Sequence, residues 1–85
     1  MNPTPADTEL IETMLCRHGR DLPLLGRHLM RLKAAAEALG FVWPGQAHIE
    51  RTIRLSVSEK AKGHGDWRVR LLLGHQGDTR VEAFA

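Results

Sequence analysis

Eighty-five residues suffice for one small domain and leave no room for a second core, while the single cysteine, Cys16, excludes an internal disulfide and a cysteine-paired zinc site. Twelve Lys and Arg against ten Asp and Glu leave a formal charge of +2, too mild an excess for a surface devoted to duplex nucleic acid. No run approaches the roughly 18 apolar residues of a membrane span, and the start MNPTPADTEL lacks the basic and apolar regions of a secretory leader, so a cytoplasmic protein is expected.

Residues 1–8 hold two prolines among small polar residues, a pattern that resists regular structure and predicts a flexible tail ahead of a single domain over residues 9–85. Leu10 to Cys16 is rich in extended formers, and Gly19 within RHGRD supplies a turn before Leu22 to Leu24, which predicts a β-hairpin. Leu25, Leu29, Leu32, Ala36 and Leu39 recur at helical steps, placing one apolar stripe on an amphipathic helix that Gly40 ends. Past the Pro44 and Gly45 turn, Ile49, Ile53 and Val57 repeat every four residues on a second helix that stops around Lys62 and Gly63. Thr52, Ser56 and Ser58 lower its intrinsic propensity, so tertiary packing must hold it.

Trp67, Val69, Leu71 and Leu73 alternate with Arg68, Arg70 and Leu72 in the period of a strand with one buried face. A turn from His75 to Asp78 with Gly77 inside it leads into Thr79 to Phe84, completing a second hairpin. The expected fold is therefore α+β: a two-layer small domain whose antiparallel sheet carries two helices on one face, in the order β-β-α-α-β-β.

Several side chains are candidates for chemistry. Arg31 lies about 120° from the centre of the apolar stripe, at roughly 100° per residue, beside Ala35 and Ala38. Small neighbours leave room for a ligand there, and a guanidinium fork can bind two phosphate oxygens at once. A solvated surface arginine has the same spacing. His28, near the edge of the stripe, reads as a packing and hydrogen-bonding residue, whereas His18, His48, His64 and His75 are scattered without ligand spacing and read as solvated. Arg68, Arg70 and Leu72 share one strand face, which serves either a pocket or solvent. Ile11 and Thr13 share a face of the first strand and Glu12 points the other way, toward solvent in the plainer reading.

Taken in order, LIETM at Leu10 to Met14, a turn, PLL, RHLMRL, a run of small residues and LGF at Leu39 to Phe41 resemble the N-terminal part of aminodeoxychorismate lyases and class IV aminotransferases, which share pyridoxal phosphate (PLP) chemistry on one fold. The likeness covers nearly everything from Glu9 onward, but only about the first third of a complete enzyme. It implies that Arg31 grips the cofactor phosphate and that Arg70, Thr13 and Ile11 line the substrate side. RVRLLL followed by a glycine turn and VEA looks more like lyase domains fused to the chorismate-aminating synthase, whose reaction eliminates pyruvate to give 4-aminobenzoate for folate synthesis, than like branched-chain aminotransferases.

The same likeness implies what is missing. Family members form a Schiff base between PLP and a lysine well downstream of the phosphate-binding arginine, and Lys33, Lys60 and Lys62 do not match it. The chain alone is thus expected to be inactive and to bind PLP weakly or not at all. Its expected partners are a C-terminal PLP domain, a small anionic ligand and a second copy of itself. Two readings from other classes stay open: a winged-helix-like nucleic-acid module using Arg51, Arg54 and Arg80, with Glu50 and Glu59 counting against it, and a plain interaction module.

Overall fold

A computed structural model of the chain describes residues 8–60 and 65–85. The expected tail, apart from Thr8, and the expected helix end at Lys62 and Gly63 lie outside the described residues, as does His64. Five elements follow in chain order: β1 (Leu10–Cys16), α1 (Leu25–Leu39), α2 (Gln46–Lys60), β2 (Trp67–Leu73) and β3 (Thr79–Phe84). The strands form one antiparallel sheet in the order β1-β2-β3.

Strand alternation sorts the side chains into two faces. Met14, Cys16, Val69, Leu71, Leu73 and Val81 point to one side, where Leu25, Leu29, Leu32 and Ala36 of α1 and Ile49, Ile53 and Val57 of α2 close over them in a single core. Contacts place α1 over β1 and α2 over β3. The register leaves Ile11, Leu72 and Arg80 in one row of the other face, Thr13, Arg70 and Glu82 in the next, and Leu15, Arg68 and Phe84 in the third. No helix covers these rows. The α+β class and the two helices on one face are as the sequence predicts.

The element order differs by one strand, because the second arm of the first expected hairpin does not form. The chain reverses immediately after β1, with Arg17 and Asp21 exchanging backbone hydrogen bonds of 2.7 and 2.8 Å across a turn in which His18 and Gly19 take φ of 56° and 71°. Pro23 then lacks the N–H needed to extend that pairing. The N–H of Leu25 instead donates to the Leu22 carbonyl at 3.2 Å, and α1 begins there.

Leu39 also departs from expectation, being 48% exposed, while Phe41 takes up the core position beyond the helix end. Gly40 makes this possible. At φ 76° it adopts the left-handed cap that glycine tolerates, and the Phe41 N–H donates back to the Ala36 carbonyl at 2.9 Å. The Phe41 ring then stacks on His75, centroids 4.0 Å apart, and the buried His75 Nε2 has no hydrogen-bond partner among the described residues. His75 is therefore a packing residue rather than a solvated one.

Two measurements probe this core. Ile53, fully buried between helix and sheet, should cost about 2–5 kcal/mol on truncation in Ile53→Ala, read as a lower urea midpoint with the far-UV dichroism of the folded state retained. Burial, followed by the charges of Asp21 and Asp66, pushes the Cys16 thiol above its ordinary value. The unfolded chain thus ionises first as pH rises past about 8.5, and the stability that Cys16 contributes is full below that pH and declines above it. The stability gap between the native chain and Cys16→Ala should narrow from pH 7 to pH 10; a constant gap would contradict this account.

Candidate functional site

Because β1 alternates, the residue between Ile11 and Thr13 must face the helices, and Glu12 does so beneath α1. Its carboxylate is not solvated: the side chain is 12% exposed and its Oε1 accepts a 2.7 Å hydrogen bond from Nδ1 of His28, itself 15% exposed. A carboxylate only accepts, so Nδ1 carries the proton in this hydrogen bond. The same Oε1 lies 3.7 Å from Nε of Arg31, whose side chain is 74% exposed. His28 and Arg31 are three residues apart on α1, hence neighbours on one helix face, and both reach the same carboxylate oxygen.

Arg31 borders a depression of about 270 Å³ that it shares with Leu24, Arg27 and His28. Arg27 and Arg31 stand four apart, a like-charge pair that weakens an isolated helix by about 0.2–0.5 kcal/mol. An anion between them would remove that penalty. A larger depression of about 480 Å³ runs from His28 round the edge of β1 to Thr13, Leu15, Arg68 and Phe84. A third, of about 450 Å³, is lined by Thr13, Arg68, Arg70 and Phe84. Shared walls, His28 between the first two and Thr13, Arg68 and Phe84 between the last two, make a basic track round the edge strand.

The structure brings Thr13 and Arg70 to one wall and sets Arg31 on the helix side of β1, joined to them through His28. Ile11 lines none of these three depressions; it sits 53% exposed in the row with Leu72 and Arg80. Arg70 is held rather than free. Its Nε and Nη2 donate to Oε1 of Glu82 at 2.8 and 2.7 Å, and its guanidinium carbon lies 5.1 Å from the centre of the Phe84 ring. Arg68 makes no ion pair among the described residues and faces two of the depressions.

Sequence reasoning sent Glu12 to solvent and did not single out Phe84, while Arg68 was read with Arg70 as facing either a pocket or solvent. The signal for Glu12 was present in strand parity together with the three-residue spacing of His28 and Arg31, but which face lies under the helix is decided only by packing. The basic residues considered for nucleic acid do not form one surface. Arg51 and Arg54 ride on α2, with Arg54 3.9 Å from Glu50, while Arg80 is on the opposite sheet face, 2.9 Å from Glu9. Among the described residues no group of three or more His, Cys, Asp and Glu is placed to hold a metal ion, and no helix is long and apolar enough to cross a membrane.

No protein-family model matches the chain. Over 76 residues, 89% of its length, it is 38% identical to a protein of Schizosaccharomyces pombe named a putative aminodeoxychorismate lyase, of which it covers 30%. Its structure aligns at a TM-score of 0.71 and 32% identity with the crystal structure of a putative amino-acid aminotransferase from Mesorhizobium loti, over 88% of this chain and 34% of that one. The chain thus spans about a third of the length of each protein it matches. Sequence likeness to the first and structural likeness to the second each extend over nearly all of this α+β layer, which is consistent with an N-terminal fragment of the family of aminodeoxychorismate lyases and related aminotransferases.

Proposed function

We propose that the chain is the N-terminal portion of a PLP-dependent aminodeoxychorismate lyase-like enzyme, supplying the phosphate grip and one wall of the substrate site. The observation that carries this reading is the setting of Arg31. Its Nε side lies toward Glu12 while the side chain remains exposed beside Arg27 and a depression of about 270 Å³. The Nη edge is thereby available to two oxygens of a phosphate monoester, and Arg27 adds a second positive charge.

The phosphate end of PLP fits these residues, whereas the reactive end finds no amine among them. Lys33 pairs with Glu37 at 4.0 Å, and Lys60 donates to the Val81 carbonyl at 2.5 Å. PLP, when bound, supplies an electron sink for negative charge developing on the substrate carbon. This chain's part is to bind and orient. Thr13 offers a hydroxyl on the open sheet face and Arg70, fixed by Glu82, presents its Nη1 edge to a substrate carboxylate, whereas Ile11, expected on the same wall, lies one row away beside Leu72 and Arg80. Elimination of pyruvate to give 4-aminobenzoate is preferred over transamination, because the relative that shares more identity is the one named as a lyase. A class IV aminotransferase would use the same grip and wall. The lone thiol suits a reducing compartment, in keeping with a cytoplasmic place.

A second reading, association with another copy, is supported by Ile11, Leu15 and Phe84, all large, apolar and exposed on the uncovered sheet face. It is compatible with the first, since a dimer interface can border a substrate wall.

Pyridoxine 5′-phosphate, whose alcohol cannot condense with surface lysines, tests the grip. In Arg31→Ala its affinity should fall at least about tenfold, equivalent to about 1.4 kcal/mol, with the far-UV dichroism unchanged. Equal affinity in both chains would reject the assignment. The 85-residue chain incubated with PLP and aminodeoxychorismate should release no 4-aminobenzoate at an enzymatic rate, and its release would show that the missing lysine is dispensable. For the second reading, sedimentation velocity should show mass rising with concentration in the native chain and not in Phe84→Ser; a monomer at every concentration would exclude it.

A further inference from the structure

We propose that Glu12 is a positioning residue for Arg31: its carboxylate, pinned by His28, anchors the Nε side of the guanidinium so that the opposite, two-donor edge is set toward the anion. This rests on the reading of Arg31 as the phosphate ligand, and goes beyond it by assigning roles to a strand glutamate and a helix histidine.

The anchor is rigid. Glu12 is paired in register with Leu71, a fully buried residue of the central strand, and its side chain is mostly enclosed beneath α1. The 2.7 Å hydrogen bond from His28 Nδ1 fixes which way Oε1 points, and that oxygen is the one 3.7 Å from Arg31 Nε. An exposed arginine otherwise samples many rotamers, and a ligand that grips it must first order the side chain. A carboxylate behind Nε reduces that cost before the ligand arrives.

The geometry also separates positioning from simple charge neutralisation. The strongest arginine–carboxylate pairing is the forked one. Glu82 approaches it at Arg70, receiving both Nε and Nη2, and so occupies one edge of that guanidinium. Glu12 comes no nearer to Arg31 than 3.7 Å, at Nε, an ion-pair rather than hydrogen-bond distance. One guanidinium is thereby committed to the sheet, and the other is steadied with its binding edge left open to the depression it shares with Leu24 and Arg27.

A negative charge behind the arginine opposes an incoming phosphate, although solvent at this exposed edge screens the repulsion. Glutamine and alanine at position 12 therefore behave differently. Gln keeps the acceptor for His28 and Arg31 while dropping the charge; Ala drops both.

The test measures pyridoxine 5′-phosphate and inorganic phosphate binding by NMR titration of the whole 85-residue chain and its Glu12→Gln, Glu12→Ala and Arg31→Ala variants, following the Arg31 Nε–Hε signal. In the native chain and in Glu12→Gln that signal should be dispersed and motionally restricted, with affinities within about threefold of each other or tighter in the Gln variant. In Glu12→Ala the signal should merge with those of mobile arginines and affinity should fall about tenfold. Native-like or tighter binding by Glu12→Ala, or a loss in Glu12→Gln as large as in Glu12→Ala, would overturn the positioning role. Either result can occur with Arg31→Ala still abolishing binding, which leaves the phosphate reading standing; unchanged binding in Arg31→Ala removes that reading and this one with it. Should Glu12→Ala fail to fold, the native chain decides: an Arg31 Nε–Hε group as mobile as that of Arg27 overturns the proposal, and a rigid one supports it.

Discussion

Everything in this small fold depends on the two-residue period of β2. The central strand sends Val69, Leu71 and Leu73 into one apolar layer and Arg68 and Arg70 into the opposite face, and its neighbours in register follow the same parity. A slip of one residue would bury guanidinium groups under the helices and expose the aliphatic core. Burial of charge without partners is costly enough that this register is strongly specified. The single core and the basic, partly apolar outer face are thus two results of one constraint.

β1 connects the two faces. It lies at the sheet edge, so side chains from the helix layer and from the uncovered face can approach the same surface around it. Glu12 projects toward α1, whereas Thr13, its immediate neighbour in the chain, projects toward Arg68 and Arg70. The three depressions are arranged around this strand, with His28 at the junction. The cationic groups are thus divided between the two sides of the edge strand.

The two partly buried carboxylates, Glu12 and Glu82, illustrate how similar ion pairs serve different ends. Glu82 and Arg70 are cross-strand partners in register, and their close contact, with Phe84 alongside, stiffens an open face that lacks a covering layer. Glu12 and Arg31 come from different elements and meet at longer range, with His28 of the same helix as Arg31 bonded to the same carboxylate oxygen. The first arrangement uses up donors. The second leaves them available.

Much of this was legible in the residues themselves. The helical steps of Leu25, Leu29, Leu32 and Ala36, the alternation from Trp67 to Leu73 and the glycine after Leu39 determine helix, strand and stop, since each depends only on local period and backbone freedom. The likeness of LIETM and RHLMRL to one enzyme family was legible too, because those residues lie close in the chain. Tertiary structure alone decided that Leu22 to Leu24 would feed a helix rather than a strand, that Phe41 rather than Leu39 would enter the core, and that Glu12 would be enclosed beside His28 and Arg31. Periodicity divides an element into faces but carries no label for which face meets which partner. That assignment comes from packing among segments far apart in the chain, where the competing burial of Leu, Phe and Glu side chains is resolved all at once.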